Sequence, residues 1–571
     1  MLFSAICLLF FSNLKKVTSQ ALLTFFKNYS NSIHFTHDFQ SRGVIVGLFF
    51  IVLGFFLISF FKKIAVYLVD IQYLYLRYFN FFKMLIKRQF SKRQLKYTLC
   101  FFIIFIFSIC IRLFYLNSPL SYDEGFTYYH YSKHPFFIIM TYYDYPNNHI
   151  FHTLLVRGSN LIFGNNIFAL RLPALLSGIF LIPLVYLYVG KFFNKNSGLL
   201  AAILVSFSAI LISYSVNARG YSILFCFFIS LLVLIELLRK NENKFIWFLF
   251  VLIQVIGMYT IPTMMYTSLL VYVYFLMSEY YGGKKEFRVI NMYKIFLSGL
   301  IVLLITLIIY LPVYLFMGLD NLIRSEYGFT SNSMFITLNK IGFNLIEFSK
   351  FCLIGMPFSI KLLFFIGVII SGLVYKKCKH LLIAILILFL FVFFVQGVFP
   401  YFRVLLFITP LLACISSIGI VKGIQYFTRS KTYLITLITS FCLITILLFQ
   451  IIELGNPEKT PIDNPKAFYK YLHQNLKSND RLLFCFPIEA SVYGYFSFYH
   501  FSEDYFTNLL DKSKKVYIIT SIEKRQSVDF VLGKNDIKPK VFRKQFTYLT
   551  KKRFNPDAII YVFKKKKNVF R

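Results

Sequence analysis

The sequence from residue 163 to residue 222 reads FGNNIFALRLPALLSGIFLIPLVYLYVGKFFNKNSGLLAAILVSFSAILISYSVNARGYS. It holds two apolar runs, 168–190 and 197–214, parted by the basic turn KFFNK at 191–195. Crossing about 30 Å of hydrocarbon takes roughly 17 to 25 helical residues, so each run is long enough to span. Inside lipid a backbone must satisfy its own N–H and C=O groups, which a helix does and an open strand does not. The stretch therefore reads as two membrane helices whose lysines share one side of the bilayer, with Asn165, Asn166 and Arg219 on the other.

The same ruler, carried outward, places eleven spans near 97–115, 168–190, 197–214, 221–237, 245–261, 263–278, 296–317, 350–375, 381–396, 403–421 and 432–450. A further apolar run, Val44 to Phe61, brings the count to about 11 to 13 transmembrane helices. The chain is 58% hydrophobic and 20% aromatic with only 15% charged residues, which excludes a soluble globular protein of 571 residues. Its net charge of +37 does not point to nucleic acid, because the Lys and Arg residues sit in alternate connecting segments. These are 83–96, 191–195, 239–244, 284–294, 376–379 and 422–431. Basic loops stay in the cytoplasm, so the loops around 116–147, 215–220, 318–349 and 397–402 are expected on the outer side of the plasma (inner) membrane. Nine scattered cysteines form neither a disulfide framework nor a zinc pattern.

Three regions follow. Residues 1–82 are an N-terminal extension, 83–452 a transmembrane body, and 453–571 a small α/β domain expected on the same outer side as the loop at 116–147. The last is read from its Pro-rich entrance, its helical pattern AFYKYLHQNL and its β-like runs RLLFCF and KVYIITS.

Chemistry concentrates in the first outer loop, PLSYDEGFTYYH at 119–130. Asp123 and Glu124 are adjacent in a chain with only 24 acidic residues, just past a span and among aromatics suited to the interface. A solvated loop is the bland reading of such a pair. Glycosyl transfer, proton translocation and ion transport could each use it.

Downstream features narrow the choice. A span ending in Arg is followed by the Asp-Glu loop, by Asn-His in YYDYPNNHIFHTLL, by ALRLP, by a Gly-Leu-Leu-Ala-Ala span, and by Tyr214-x-x-x-x-Arg219-x-Tyr221. In this order they resemble the family 39 type of GT-C glycosyltransferases, which includes protein O-mannosyltransferases and the aminoarabinose transferases of lipid A. The resemblance is strong over about 97–270, loose over 271–450 and architectural beyond. It implies a polyprenyl-phosphate sugar donor and an envelope acceptor, meeting at the outer membrane surface among membrane lipids, with inversion at the anomeric carbon. The sequence agrees in having no Gly-rich phosphate loop with a Rossmann unit for a nucleotide sugar.

On this reading Asp123 is the general base and Glu124 its acidic neighbour, with Asp144 in YYDYPNNH the fallback. Arg171 and Arg219, at outer ends of spans, are expected to hold the leaving phosphate against the bland reading of snorkelling to the interface. His149 matches the Asn-His position and is expected to hydrogen-bond substrate or the acidic loop. His149 and His152, three apart, would share a helical face and invite a metal reading, but the family does not imply one, so neither metal nor cofactor is expected. Tyr214, Tyr221 and Tyr259 belong to the interface belt and line the sugar cavity in a weaker reading. Arg403 in FPYFRVLLFITP is an imperfect match to a late phosphate-binding segment. The reading from another class is a non-enzymatic lipid-linked sugar flippase, which would place ionisable residues near the bilayer midplane and show paired halves. A ligase or polymerase would carry its outer chemical loop late in the chain.

Overall fold

The structure is a computed structural model that describes residues 92–143, 147–240, 243–282, 285–318, 329–330, 334–396, 398–428, 444, 464–499, 501–506, 510, 513–554 and 557–566. All lie in one compact unit, Ile86–Arg571. The expected extension 1–82, all of the span 432–450 but residue 444, and Asp144 fall outside the described residues.

The membrane body is helical. In chain order it comprises α1 (Lys92–Tyr115), the short loop helices α2 (Tyr122–Thr127) and α3 (Phe136–Thr141), α4 (Ile150–Phe163), α5 (Ile167–Phe192), α6 (Lys195–Ser206), α7 (Ala209–Ser215), α8 (Tyr221–Leu238), α9 (Lys244–Thr260) and α10 (Met264–Gly282). It continues with α11 (Lys285–Met317), α12 (Met334–Cys352), α13 (Phe358–Val374), α14 (Lys376–Leu390) and α15 (Ile408–Thr428). Six described helices are long and apolar enough to cross a membrane, and α6 with α7 makes a seventh, bent by 65°. Asparagine N-caps start α5, α6 and α9, where Asn166, Asn194 and Asn243 accept from amides of the first turn. α8 is buried nearly all round at the centre, whereas α1 and α11 turn Phe102, Ile106, Phe107, Phe296, Leu303 and Leu307 outward, as lipid-facing helices do.

Two span boundaries differ from the sequence expectation. The stretch 350–375 is not one helix: α12 stops at Cys352 and α13 starts at Phe358, because Gly355 takes φ +77° and Pro357 sits at the N-cap. The span expected from 403 begins at Ile408, after a 3₁₀ turn Phe402–Leu405, with Pro410 in its first turn where the lost N–H costs nothing.

The two ends of the bundle are chemically distinct. At one end Glu236 of α8, 2% exposed, is met by Tyr274 of α10 (2.6 Å), Lys377 of α14 and Arg239, which also reaches Glu279 (3.4 Å). Those residues adjoin the basic segments. At the other end Arg112, the 119–127 loop, Arg171, 217–220 and Arg403 come together. Arg112, fully buried, donates to the Ser206 carbonyl (3.1 Å) and Ser215 Oγ (3.3 Å), and so ties α1 across the bend between α6 and α7.

On that second end sits a mixed sheet of β3 (Arg481–Leu483), β4 (Lys515–Ser521), β5 (Phe546–Phe554) and β6 (Ala558–Lys565) in the order β3-β4-β6-β5, with β3 parallel to β4 and the other pairs antiparallel. A two-stranded pair, β1 (Phe329–Thr330) with β2 (Val398–Phe399), lies apart from it. Helices α16 (Pro465–Asn475) and α17 (Glu489–Phe498) cover one face of the sheet, α18 (Val528–Lys534) and α19 (Pro539–Gln545) the other. The first of these cores also takes in Leu120, Tyr128, Val156, Leu170 and Ala218, so it runs without a break into the acidic loop.

Candidate active site

The acidic loop owes its shape to a capping box. Ser121 accepts the Glu124 amide and Glu124 reaches back to the Ser121 amide (3.0 Å), which starts α2 one residue before the acidic pair. Gly125 is required by a neighbour. A Cβ there would lie 2.2 Å from the Ala490 carbonyl oxygen of α17, and a Cβ on Gly494 would lie 3.3 Å from the Gly125 Cα. The Tyr122 hydroxyl donates to Glu489 (2.8 Å) and the Leu120 amide to the Tyr495 hydroxyl (2.7 Å), fixing α2 on the C-terminal domain.

Adjacent in sequence, Asp123 and Glu124 live in different surroundings. Glu124 is 1% exposed, and all its lone pairs in view are taken: Arg171 makes a two-pronged contact at 2.7 Å to each oxygen, and the Ala218 and Ser121 amides complete it. The other Arg171 donors go to the carbonyls of Leu116 (2.7 Å), Ser118 (2.8 Å) and Pro119 (3.1 Å). The sequence placed Arg171 against a lipid phosphate and Glu124 beside the reaction. In the structure all five guanidinium N–H groups are spent on the chain itself, so the pair shapes the loop, and Arg171 has no donor left for a phosphate.

Asp123 is a quarter exposed. Arg403, arriving from the turn before α15, donates to its Oδ2 at 2.6 Å, and Arg219 stands 3.9 Å from the same oxygen. Burial alone would push the Asp123 carboxyl up, but the two guanidinium groups and the Arg403 hydrogen bond outweigh it and hold it below the usual carboxylate range. Asp123 is therefore ionised at neutral pH.

Arg219 is 3% exposed and donates to the Asn147 carbonyl (2.8 Å) and Thr127 Oγ1 (3.2 Å), while its Nε has no hydrogen-bond partner. Its Nη2 lies 3.1 Å from His149 Nε2. His149 Nδ1 accepts the fixed Gly220 amide at 2.8 Å, which leaves the ring proton on Nε2. Burial, then the charge of Arg219, holds the His149 pKa well below its ordinary value, so the ring is neutral. Two donors, Nε2–H and the Arg219 Nη2, thus face each other, with the Asp123 carboxylate 3.9 Å from the same Nη2, an arrangement that suits an anion. Tyr221 packs edge-on against His149 (5.2 Å) and Tyr214 against Tyr221 (5.1 Å), so both tyrosines wall this histidine. Tyr259 packs on Tyr310 (5.7 Å) among Tyr143 and Ile150. His152 is buried with neither ring nitrogen hydrogen-bonded and its pKa lowered to about 3 by burial and Arg219. No group of three metal-ligating side chains occurs among the described residues.

A family model for dolichyl-phosphate-mannose-protein mannosyltransferases matches residues 146–313. The crystal structure of ArnT from Cupriavidus metallidurans in the apo state superposes with a TM-score of 0.52 at 11% identity, over 82% of this chain and 97% of that one. The chain has the GT-C fold. Two further GT-C structures match less closely: the Archaeoglobus fulgidus oligosaccharyltransferase complexed with Zn and sulfate (TM-score 0.45, 14% identity, 80% of this chain and 72% of that) and the same ArnT bound to undecaprenyl phosphate (0.40, 10%, 82% and 97%). No curated protein matches the sequence.

Within this GT-C frame the structure brings Asp123, His149, Arg219, Tyr221 and Arg403 into one group, from the first loop, α4, the α7–α8 connection and the turn before α15. Sequence reasoning missed Thr127, Asn147, Glu489 and Asn217, whose Nδ2 donates to Ser121 Oγ of the acidic loop (3.3 Å). Asn147 precedes the Asn148-His149 pair and was legible there. Glu489 lies 367 positions from Tyr122, and no local signal announces it.

Proposed function

We propose that this GT-C membrane protein is a glycosyltransferase that moves one sugar from a polyprenyl-phosphate carrier to a hydroxyl of a cell-envelope glycan, lipid or protein, with inversion at the anomeric carbon. The observation that carries the reading is the ionised Asp123 beside Arg403, Arg219 and the His149 Nε2–H. As the acceptor oxygen attacks C1, Asp123 takes its proton, and the C1–O bond electrons leave with the lipid phosphate. The phosphate gains negative charge as that bond breaks, and the two guanidinium groups stabilise it in a poorly hydrated setting. Arg171 takes no part in this; Arg403 replaces it as the second phosphate ligand.

The second end of the bundle, with the acidic loop and the C-terminal domain, faces outward in this reading, and the basic end faces the cytoplasm. The test is transfer by the purified full-length protein in nanodiscs, given an undecaprenyl-phosphate sugar and an envelope acceptor fraction. Radiolabel moving to the acceptor, and lost in Asp123→Asn, supports the reading. A protein that inserts and folds but transfers nothing from any polyprenyl-phosphate sugar, while moving such lipids across the bilayer, overturns it. The glycan profile of a deletion strain would name the sugar.

A further inference from the structure

The C-terminal domain carries a cleft of about 530 Å³ that none of the roles above uses. Two half-exposed aromatic rings, Phe486 and Phe530, stand at it with three cations, Lys524, Arg525 and Lys534. Lys524 lies 6.0 Å over the Phe486 ring and Lys534 5.9 Å over Phe530, so charge and aromatic surface are interleaved.

The cleft is built. Asp557, 5% exposed, accepts from Ser521 Oγ (2.6 Å) and from the Glu523 amide, which folds the turn 521–526 that bears Lys524 and Arg525. Gln526 accepts the Ser521 amide (2.9 Å) and donates to the Phe486 carbonyl, joining the cationic turn to the aromatic wall. Arg525 holds φ +49°, a left-handed backbone state in which Gly or Asn would be the easier choice. Of the acids nearby, Asp529 is paired with Arg543 (2.7 and 2.8 Å), Glu489 accepts from Tyr122 through Oε1 (2.8 Å) while its Oε2 has no hydrogen-bond partner, and Glu523 stands exposed beside Lys524.

Its position ties it to the reaction. Phe486 packs edge-on against Tyr122 with centroids 5.1 Å apart, and Tyr122 is the residue before Asp123. The cleft, lined by the soluble domain, thus lies one aromatic ring away from the residue that precedes the base. Aromatic faces take the C–H face of a pyranose, and convergent Lys and Arg side chains take a phosphate or carboxylate.

We infer that this cleft is an acceptor subsite for an anionic saccharide, with a sugar ring on Phe486 or Phe530 and its phosphate or carboxylate on Lys524, Arg525 and Lys534. The word acceptor rests on the transferase reading; the binding of the saccharide does not.

Cys485 lies at the cleft and supplies the readout. Its alkylation by iodoacetamide, followed by peptide mass spectrometry on the full-length protein in nanodiscs, is measured with glucose 6-phosphate, glucuronic acid, glucose or inorganic phosphate present. The expected result is that the two anionic sugars slow alkylation saturably, about fivefold for the better of them, and that glucose and phosphate do so far less. Which anionic sugar protects more tells whether phosphate or carboxylate is the group bound. In Lys524→Ala/Arg525→Ala protection is lost, while in Asp123→Asn it persists, and if transfer is established the double variant raises the acceptor KM and leaves the donor KM unchanged. Equal protection by glucose or by inorganic phosphate, protection surviving in the double variant, or none by any probe overturns the inference. Because alkylation needs no turnover, failure of the transferase reading would leave this result standing by itself.

Discussion

Arg171 and Glu124 meet through two parallel 2.7 Å hydrogen bonds, with both side chains 1% exposed. Removing one member of such a pair strands the other as a buried charge, which costs about 3 to 5 kcal/mol. Arg171→Ala should therefore lower the thermal unfolding temperature in detergent and abolish activity together with the folded loop. Arg171→Lys should rescue little, because an ammonium cannot fork to both oxygens and also reach three carbonyls. A normally stable Arg171→Ala protein with impaired donor binding would return this arginine to the phosphate.

Asp123→Asn should behave in the opposite way. The amide is nearly isosteric and the site is a quarter exposed, so the protein should fold and lose only part of its unfolding temperature as Arg403 and Arg219 lose their counter-charge, while transfer falls about 10²- to 10⁴-fold with loss of the proton acceptor. Glu124→Gln should reverse this order and lose stability first. Single-turnover rates beside melting curves separate the two.

The contrast marks where the sequence was legible. Hydropathy and charge alternation located most of the described apolar helices, since lipid imposes both length and helix on an apolar run, but not the break between α12 and α13 or the late start of α15, and the Asn N-caps of α5, α6 and α9 were there to be read. YDEGF drew attention to the acidic loop. Which carboxylate is exposed was not readable, because it depends on an arginine 47 positions later and on the Ala218 amide, 94 positions away. The link between Asp123 and Arg403, across 280 positions, was equally hidden. Glu236, in the last turn of an apolar helix beside the basic segment 239–244, is an acid that calls for partners, and it finds them in Tyr274 and Lys377.

Arg403→Ala and Arg219→Ala should each reduce transfer by about ten- to a hundredfold, the worth of a charge-assisted contact of roughly 1.5 to 3 kcal/mol. The Arg219 variant should be less stable as well, since that side chain is buried and holds the Asn147 carbonyl and Thr127. Arg403, more than a third exposed, should show the kinetic defect alone. Unchanged transfer in both variants would remove the phosphate assignment.

The pH dependence has a definite sign. With its folded-state pKa held low by Arg219 and Arg403, Asp123 stays ionised through neutral pH, and its contribution to stability is present above its unfolded value of about 3.9 and lost as pH falls through the folded one. The rate should be flat on the acid side down through the ordinary carboxylate range, because the Asp123 carboxyl is held below it. In Arg403→Ala burial opposes ionisation with one counter-charge fewer, so the acid limb of log kcat/KM should move to higher pH. An acid limb that stays in place would mean that another group limits the rate.

Gly125→Ala tests whether the C-terminal domain positions the base. The added methyl would stand 2.2 Å from the Ala490 carbonyl oxygen, a backbone atom that cannot rotate aside, so α2 and α17 must separate. Separation would stretch the 2.8 Å Tyr122–Glu489 and 2.7 Å Leu120–Tyr495 hydrogen bonds and move Asp123, which neighbours the altered glycine through Glu124 alone. The insertion of even a methyl into a packed contact costs about 1 to 3 kcal/mol, so the protein should still fold but melt earlier and transfer slowly. Gly494→Ala meets Leu120 Cδ1 at 3.2 Å, the end of a flexible side chain, and the Gly125 Cα at 3.3 Å, and should cost less. The order Gly125→Ala below Gly494→Ala below wild type, in both melting temperature and kcat, is the expected outcome, and a Gly125→Ala enzyme with full activity would show that the base is placed without help from the soluble domain.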